Sequence, residues 1–272
     1  MNQRNSSGFS VGKALAVGAF GLLTAAFVAL LFTTADAQWR RDRDRDRDRD
    51  HKRYAGDVIT ENRDASDFDA IVIKGIADVD VTQGDNFAVE VRAPQDLIEY
   101  VVTKVRGGVL YVGFDDDEFD FFDHIDISDE ELNISVTLPA LKEITVKGIG
   151  SVTMDRFTGD ELEIELSGVG DVNIKEFIGR AMTIELDGVG NLEIGGEVDE
   201  LDVDLNGIGD ADLRDLKAKR VIADVDGMGD LEVFASESIE AHASGFGDVI
   251  YYGNPDKVRR RAKGFGDVYA GR

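Results

Sequence analysis

The chain has 272 residues, enough for one or two domains with a large buried core. Its 55 acidic and 30 basic side chains give a formal net charge of -25, which argues against nucleic-acid binding and against docking on an anionic membrane. It has no cysteine and only three histidines, which excludes disulfides, thiolate zinc sites and a cysteine nucleophile and argues against a multi-histidine metal site. Thirty glycines against three prolines is an unusual ratio that the sequence pattern must explain.

The N-terminus has the layout of a secretory signal peptide. Arg4 and Lys13 precede residues 14–32, which are almost wholly apolar, and Ala35-Asp36-Ala37 follows as an A-x-A cleavage site. We therefore predict an exported protein whose signal peptide, residues 1–37, is cleaved after Ala37. The alternative is an uncleaved anchor, because an apolar stretch of this length can just span a bilayer. In either case the rest of the chain leaves the cytoplasm, for the periplasm or the cell surface.

A charged segment follows the signal peptide. Residues 38–56 contain the run RRDRDRDRDRDHKR, which alternates charge and includes no apolar residue. Such a segment cannot bury enough surface to offset its ordering entropy, so we expect a disordered linker. Attachment to an acidic glycan or a lipid headgroup is the alternative, although the aspartates nearly cancel the arginines.

The glycines belong to an internal repeat with a period near 20 residues. Seven copies share the pattern x-G-x-G-x-x-x-x, and an earlier degenerate copy, KGIADVDV, lies at 74–81. The seven copies are KGIGSVTM at 147–154, SGVGDVNI at 167–174, DGVGNLEI at 187–194, NGIGDADL at 206–213, DGMGDLEV at 226–233, SGFGDVIY at 244–251 and KGFGDVYA at 263–270. A period of this length indicates a solenoid.

Apolar residues alternate with polar ones on both sides of each glycine pair. Leu162, Ile164 and Leu166 precede one pair, and Val172 and Ile174 follow it. Period-two alternation over short runs is typical of strands. The sequence therefore predicts an all-β parallel β-helix with coils of about 19–20 residues, as one domain over residues 57–272 with regular repeats at 141–272. The less regular N-terminal part, with strand-like runs at 68–73, 77–82, 87–92, 109–114 and 132–138, is predicted to supply further coils or a cap.

The repeated phrase, together with the run VTLPALKEITVKG before it, resembles the head GIN-domain family, labelled putative auto-transporter adhesin. The resemblance covers about residues 68–270 and implies a right-handed β-helix in exported bacterial proteins. This chain departs from the family pattern at the position between the two glycines, where the family usually has Ser and this sequence has large apolar side chains. The family label names a role in adhesion without naming a ligand.

Those apolar residues form a predicted exposed row. If alternation continues through the corner, the two glycines face inward and the residue between them faces solvent in every coil. At about 4.8 Å per coil, the row would be a ridge roughly 30 Å long and a candidate binding surface. Its members are Ile149, Val169, Val189, Ile208, Met228, Phe246 and Phe265. The alternative is that the corner breaks the alternation and these side chains fill the core.

A second row follows the glycine pairs. The same position in successive copies holds Asp171, Asn191, Asp210, Asp230, Asp248 and Asp267, so we expect these side chains to stack as a ladder. Like charges at this spacing repel, so the row should be held by bonds to turn N–H groups or by bound cations. The order G-x-G-D only partly matches the calcium-binding nonapeptide repeat G-G-x-G-x-D, and a turn function for glycine explains it equally well.

The segment at 114–131 is a strongly acidic loop, FDDDEFDFFDHIDISDEE. Asp115, Asp116, Asp117 and Asp120 are candidate calcium ligands, because dense carboxylates suit that ion. No fixed ligand spacing is visible, and the interleaved phenylalanines also fit a partner-docking segment or a disordered loop. Calcium is the one cofactor for which the sequence offers ligands.

No residue pattern in the sequence indicates a catalytic centre. His242 has outward parity and is interpreted as a surface histidine, and Arg156, Arg180, Arg214 and Arg220 share no repeat position that would mark a base. We therefore expect a non-enzymatic binding or structural protein of the cell envelope, with a glycan, protein or other envelope ligand, or with self-association through the side of the solenoid. The alternative is a carbohydrate-active β-helix enzyme, of the polysaccharide lyase or hydrolase type.

Overall fold

The structure is a computed structural model that describes residues 57–114 and 132–272. The predicted signal peptide, the linker, all of the acidic loop except Phe114, and the four candidate calcium ligands lie outside the described residues. Within the described residues there is no helix that is long and apolar enough to cross a membrane.

The described chain consists mainly of short strands joined by tight corners, with three longer strands of 13 to 15 residues. The strands are β1 (Val58–Arg63), β2 (Ala70–Lys74), β3 (Asp78–Gln83), β4 (Ala88–Pro94), β5 (Val102–Arg106), β6 (Val109–Gly113), β7 (Asn133–Leu138), β8 (Glu143–Val146), β9 (Val152–Thr158), β10 (Glu161–Leu166), β11 (Val172–Ile178), β12 (Ala181–Leu186), β13 (Leu192–Leu205), β14 (Ala211–Val225), β15 (Leu231–Ala243), β16 (Val249–Tyr252), β17 (Lys257–Ala262) and β18 (Val268–Ala270). This all-β architecture of stacked coils confirms the predicted solenoid.

Each coil places one strand on either side of the glycine corner, and equivalent strands stack in parallel. Before the corner, one continuous ladder of inward side chains runs through Ile71, Ile144, Ile164, Ile184, Val203, Ala223 and Ala241. After the corner, a second ladder runs through Val79, Val152, Val172, Leu192, Ala211, Leu231, Val249 and Val268. All of these side chains are buried, so each coil's apolar edge is covered by its neighbours rather than by its own residues.

The degenerate copy at 74–81 forms a full coil of the solenoid. Its strands β2 and β3 lie directly beneath β8 and β9, so that residues distant in sequence stack as nearest neighbours. The chain between these two coils returns to the other side of β2 and β3, where β6 and β7 extend the parallel ladders.

Antiparallel strands close this N-terminal end. Strand β4 pairs with β1 and β7, and β5 pairs with β6. Residues 95–100 form turns that lead into β5. The sequence analysis did not identify β1 or β5, because both are short and half-exposed and lack a clear apolar alternation.

The glycines are required by the close approach of successive coils. A Cβ atom on Gly188 would lie 2.1 Å from the carbonyl oxygen of Gly168, and one on Gly168 would lie 2.1 Å from that of Gly148. The backbone of the preceding coil therefore limits the space for a side chain at these positions, along the stacking axis. At Gly168 and Gly188, the limit on side-chain size comes from this backbone contact and not from the core side chains alone.

We predict that Gly188→Ala destabilises the protein by about 1–3 kcal/mol, because the new methyl group overlaps a backbone oxygen that cannot move independently. Gly159→Ala is the matched control, since its Cβ would meet no atom closer than 3.7 Å and its backbone is not in the left-handed region. Urea denaturation monitored by circular dichroism measures both variants. Equal unfolding midpoints for the two variants would contradict the packing argument.

Candidate functional site

The residue between the two glycines lies on the surface in every coil. Between 45% and 86% of each of the seven side chains, Ile149, Val169, Val189, Ile208, Met228, Phe246 and Phe265, is exposed. Parallel backbone bridges connect successive members from Ile149 to Phe246, and Ile76 in the degenerate copy joins the lower end. We call these seven residues the apolar row.

From Val169 to Phe246, the backbone N–H and C=O of each member of the row both bond to the two glycines of the preceding coil. The Val189 N–H donates to Gly168 O at 2.9 Å, and the Gly170 N–H donates to Val189 O at 3.0 Å. In four coils the second glycine has a positive φ that L-residues rarely adopt, at Gly150, Gly170, Gly209 and Gly229. The row is thus a rigid part of the solenoid rather than a mobile loop.

The upper end of the row is aromatic. The rings of Phe246 and Phe265 stack with their centroids 4.8 Å apart and their planes 11° apart. This separation equals the usual spacing of hydrogen-bonded strands, so the coil rise itself sets the stacking distance. Phe265, at 86% exposure, presents one ring face to solvent at the end of the row.

A shallow groove of about 830 Å³ follows the lower half of the row. Its floor is made by the first glycine of each pair, including Gly148, Gly168 and Gly188. One wall is the apolar row. The other is the polar row that precedes the glycines, which includes Lys74, Lys147, Ser167, Asp187 and Asn206. An apolar strip beside a polar rim is the usual composition of a protein contact surface.

The Asp/Asn row flanks the apolar row on the side away from the groove. Hydrogen bonds between successive coils hold it in place. The Oδ1 atom of each member accepts the backbone N–H of the next member, with distances of 2.7 Å from Asn191 to Asp171 and 2.8 Å from Asp230 to Asp210. The same bond recurs at Asp210, Asp248 and Asp267. Each side chain therefore satisfies a corner N–H one coil away, a longer-range contact than the turn bond expected from the sequence.

The strands that precede the corners present a strongly acidic outer face. The Asp187 carboxylate raises the pKa of Glu185, with smaller contributions from partial burial and from Glu165. Partial burial raises the pKa of Asp204, and Asp224 adds to the shift. Among the described residues, no group of three His, Cys, Asp or Glu side chains is arranged to hold a metal ion.

The four arginines that the sequence analysis considered as possible bases form surface ion pairs. Arg156 pairs with Glu176, Arg180 with Glu161, Arg214 with Asp212, and Arg220 with Glu200. His242 is half-buried, and its Nδ1 lies 2.9 Å from Asp224 Oδ1. The structure brings two of these arginines together, because Arg180 and Arg220 both contact Glu200, at 3.6 and 2.8 Å, whereas Arg156 and Arg214 form ion pairs with other carboxylates.

Sequence reasoning missed two features of this surface. Ile76 extends the apolar row by one coil, and the KGIADVDV copy was the signal that could have placed it there. The inter-coil bonds of the Asp/Asn row were missed because a single sequence does not show that the carboxylate reaches past its own turn.

An exposed apolar row on a rigid β-solenoid places the chain in the class of repeat proteins that present an extended lateral surface. The sequence profile described as "Putative auto-transporter adhesin, head GIN domain" matches residues 67–255. The chain belongs to this family. No curated protein matches the sequence significantly.

Solved structures share the fold. A putative adhesin from Bacteroides fragilis NCTC 9343 is 25% identical, covers 80% of this chain and 99% of its own, and superposes with a TM-score of 0.75. A putative lipid binding protein from Parabacteroides distasonis ATCC 8503 is 23% identical, with coverages of 81% and 99% and a TM-score of 0.64. A putative adhesin from Parabacteroides merdae ATCC 43184 is 19% identical, with coverages of 82% and 100% and a TM-score of 0.63.

We predict that Asp204→Asn stabilises the protein at neutral pH. A carboxyl group whose pKa is raised on folding opposes folding while it is ionised, and this cost disappears as the pH falls through its folded pKa. Because the group is largely solvated and screened, the gain should be about 0.2–1 kcal/mol, and it should vanish at acidic pH or in 1 M salt. Thermal unfolding across about pH 2–8, which extends below the unfolded pKa of aspartate, measures it.

The control for Asp204→Asn is Asp199→Asn. Lys219 lies 2.6 Å from Asp199 and lowers its pKa, so this second variant should lose stability at neutral pH and converge with the parent protein at acidic pH. A change of the same sign in both variants would show that reduced net charge alone, and not the local environment, governs the effect.

We predict that Asp210→Ala destabilises the protein by about 0.5–1.5 kcal/mol, because the Asp230 N–H loses its acceptor. Asp210→Asn keeps an acceptor oxygen and should unfold at the parent temperature or slightly above it. Differential scanning calorimetry with and without millimolar calcium distinguishes a row held by bonds to backbone N–H groups from a row held by bound cations. A calcium-induced rise in Tm that Asp210→Ala abolishes would assign the row to cation binding.

Proposed function

We propose that this protein is an exported, non-enzymatic binding protein of the bacterial cell envelope, and that its apolar row is the contact surface. The observation that carries the proposal is the unbroken exposure of seven large apolar side chains on one line of a rigid solenoid. Soluble proteins usually place such side chains singly, and a contiguous line of them marks an interaction surface.

The adhesin label of the family and of the similar structures supports a role in attachment. Export is supported by the apolar stretch and A-x-A site at the N-terminus, with cleavage after Ala37. The ligand would present a narrow apolar strip to the row, on a protein or glycan of the envelope or on a second copy of the chain. Polar rims on both sides of the row would then align the partner.

The test compares two triple variants in a deletion strain of the source organism. Val189→Ser, Ile208→Ser and Met228→Ser together remove the centre of the row. Val58→Ser, Ile178→Ser and Ile222→Ser also replace three large apolar side chains by Ser, at exposed positions outside the row. All six side chains are exposed, so both variants should fold with an unchanged circular dichroism spectrum.

We expect the row variant to reduce surface attachment or autoaggregation of the cells by about fivefold or more, because interface centres dominate binding energy. The control variant should behave as the parent protein does. A protease added to whole cells should cleave the parent protein at the cell surface. The mature parent protein should begin at Gln38. Equal attachment by the deletion strain, the parent and both variants would contradict the proposal.

A further inference from the structure

The last coil differs from the rest of the solenoid in its charge. Residues 257–272 contain six cations, Lys257, Arg259, Arg260, Arg261, Lys263 and Arg272, against one acidic residue, Asp267. This local excess of positive charge stands out on a chain with a net charge of -25. The cations are concentrated on strand β17 and on the corner that follows it.

These cations also differ from the others in their partners. Between residues 139 and 256 every Lys and Arg forms an ion pair with an acidic side chain: Lys142, Lys147, Arg156, Lys175, Arg180, Arg214, Lys217, Lys219 and Arg220. In β17, Arg259 approaches Glu240 at 3.4 Å, and Arg260 donates to the carbonyl oxygen of Val268. The side chains of Lys257, Arg261 and Lys263 form no hydrogen bond or ion pair with the described residues.

Strand β17 has an unused hydrogen-bonding edge. Its one ladder partner among the described residues is β15. The Lys263 N–H donates to Ala243 O at 2.8 Å, and residues of a parallel strand alternate between the two sides. The backbone groups of Val258, Arg260 and Ala262 therefore point away from β15.

The core is uncovered at the same strand. Val258, Arg260 and Ala262 occupy the inward positions, next to Ile239, Ala241 and Ala243 in the ladder, yet all six residues of β17 are exposed. In the preceding coil, β15 buries Ile239, Ala241 and Ala243. A further strand on β17 would bury Val258 and Ala262 and use the free backbone groups at once.

We propose that β17 is a docking edge for an extended acidic peptide segment, which adds to the solenoid as one more strand. Its backbone pairs with Val258, Arg260 and Ala262. Its acidic side chains, at alternate positions, lie beside Arg259 and Arg261, and its intervening apolar side chains cover the open core. Cross-strand pairs of opposite charge favour this register, and strand addition is an established mode of peptide recognition.

The charge of β17 determines which strand is accepted. Edge cations discourage pairing between identical edges, as expected for a solenoid that must avoid end-to-end aggregation. The edge strand β5 at the other end of the molecule carries Lys104 and Arg106, so head-to-tail stacking of two copies would bring like charges together. An acidic strand meets no such repulsion.

The test measures binding of a fluorescein-labelled peptide, Val-Glu-Val-Glu-Val-Glu-Val, to the full exported chain by fluorescence anisotropy. We expect saturable binding that weakens with added salt. The double variant Arg259→Glu and Arg261→Glu should weaken it by about tenfold or more, and Arg259→Gln with Arg261→Gln by a smaller factor. The matched control, Lys219→Glu with Arg220→Glu, changes the net charge equally at paired cations and should bind as the parent does.

Two further probes separate strand addition from simple charge attraction. The same peptide with every backbone nitrogen methylated keeps its charge but cannot donate to the edge, and it should not bind. Polygalacturonate should compete poorly at equal carboxylate concentration. Binding of the methylated peptide, equal competition by the polymer, or equal loss of binding in the control variant would each overturn the proposal. A circular dichroism spectrum like that of the parent confirms that the variants remain folded.

Discussion

The close approach of successive backbones at the glycine corner is the constraint on which the rest of the structure depends. Each corner glycine lies against the carbonyl oxygen of the glycine one coil below, at a distance that admits no side chain. The coils can therefore stack in register through the corner as well as through the strands. Since both glycines are fixed in this way, the side chain of the residue between them points outward. The repeat places one such side chain in every coil, and together these side chains form the apolar row.

The same stacking determines the electrostatics. Repeating a sequence at one coil spacing places like residues at contact distance, which is favourable for Val or Ile and unfavourable for Asp or Glu. The Asp/Asn row avoids part of this cost because each carboxylate bonds to a backbone N–H of the next coil. The acidic outer face has less compensation, and the raised pKa values of Glu185 and Asp204 reflect that difference.

The solenoid was predictable from the sequence because the period, the alternation and the glycine pairs all repeat. The core ladders through Ile164 and Val172 follow directly from that alternation. The N-terminal part was less predictable, because β2 and β3 stack on β8 and β9 across a long excursion in sequence. No local pattern encodes such a contact, and the short strands β1 and β5 gain their structure from their partners.

The site was predictable in part. Parity alone placed Val189 on the surface, but the groove beside it depends on the missing glycine side chains, which only the stacked coils show. The open edge of β17 is visible only in the pairing of the strands, which places Arg260 beside Ala241 in the inward ladder. The significance of this edge depends on the ion pairs that engage every Lys and Arg between residues 139 and 256, and those pairs depend on the register of the strands.

The central claim is that the apolar row is a straight, outward line with one residue per coil. The chain has no cysteine, so paired cysteines can be introduced and spin-labelled at Ile149 together with Met228, Phe246 or Phe265. Pulsed electron paramagnetic resonance should give distances between the two labels of about 19, 24 and 29 Å in that order, an increase of about 4.8 Å per coil. The spectra should also show that the labels are mobile, as expected on the surface. Immobilised labels, or distances that do not increase by one coil rise per repeat, would contradict the account.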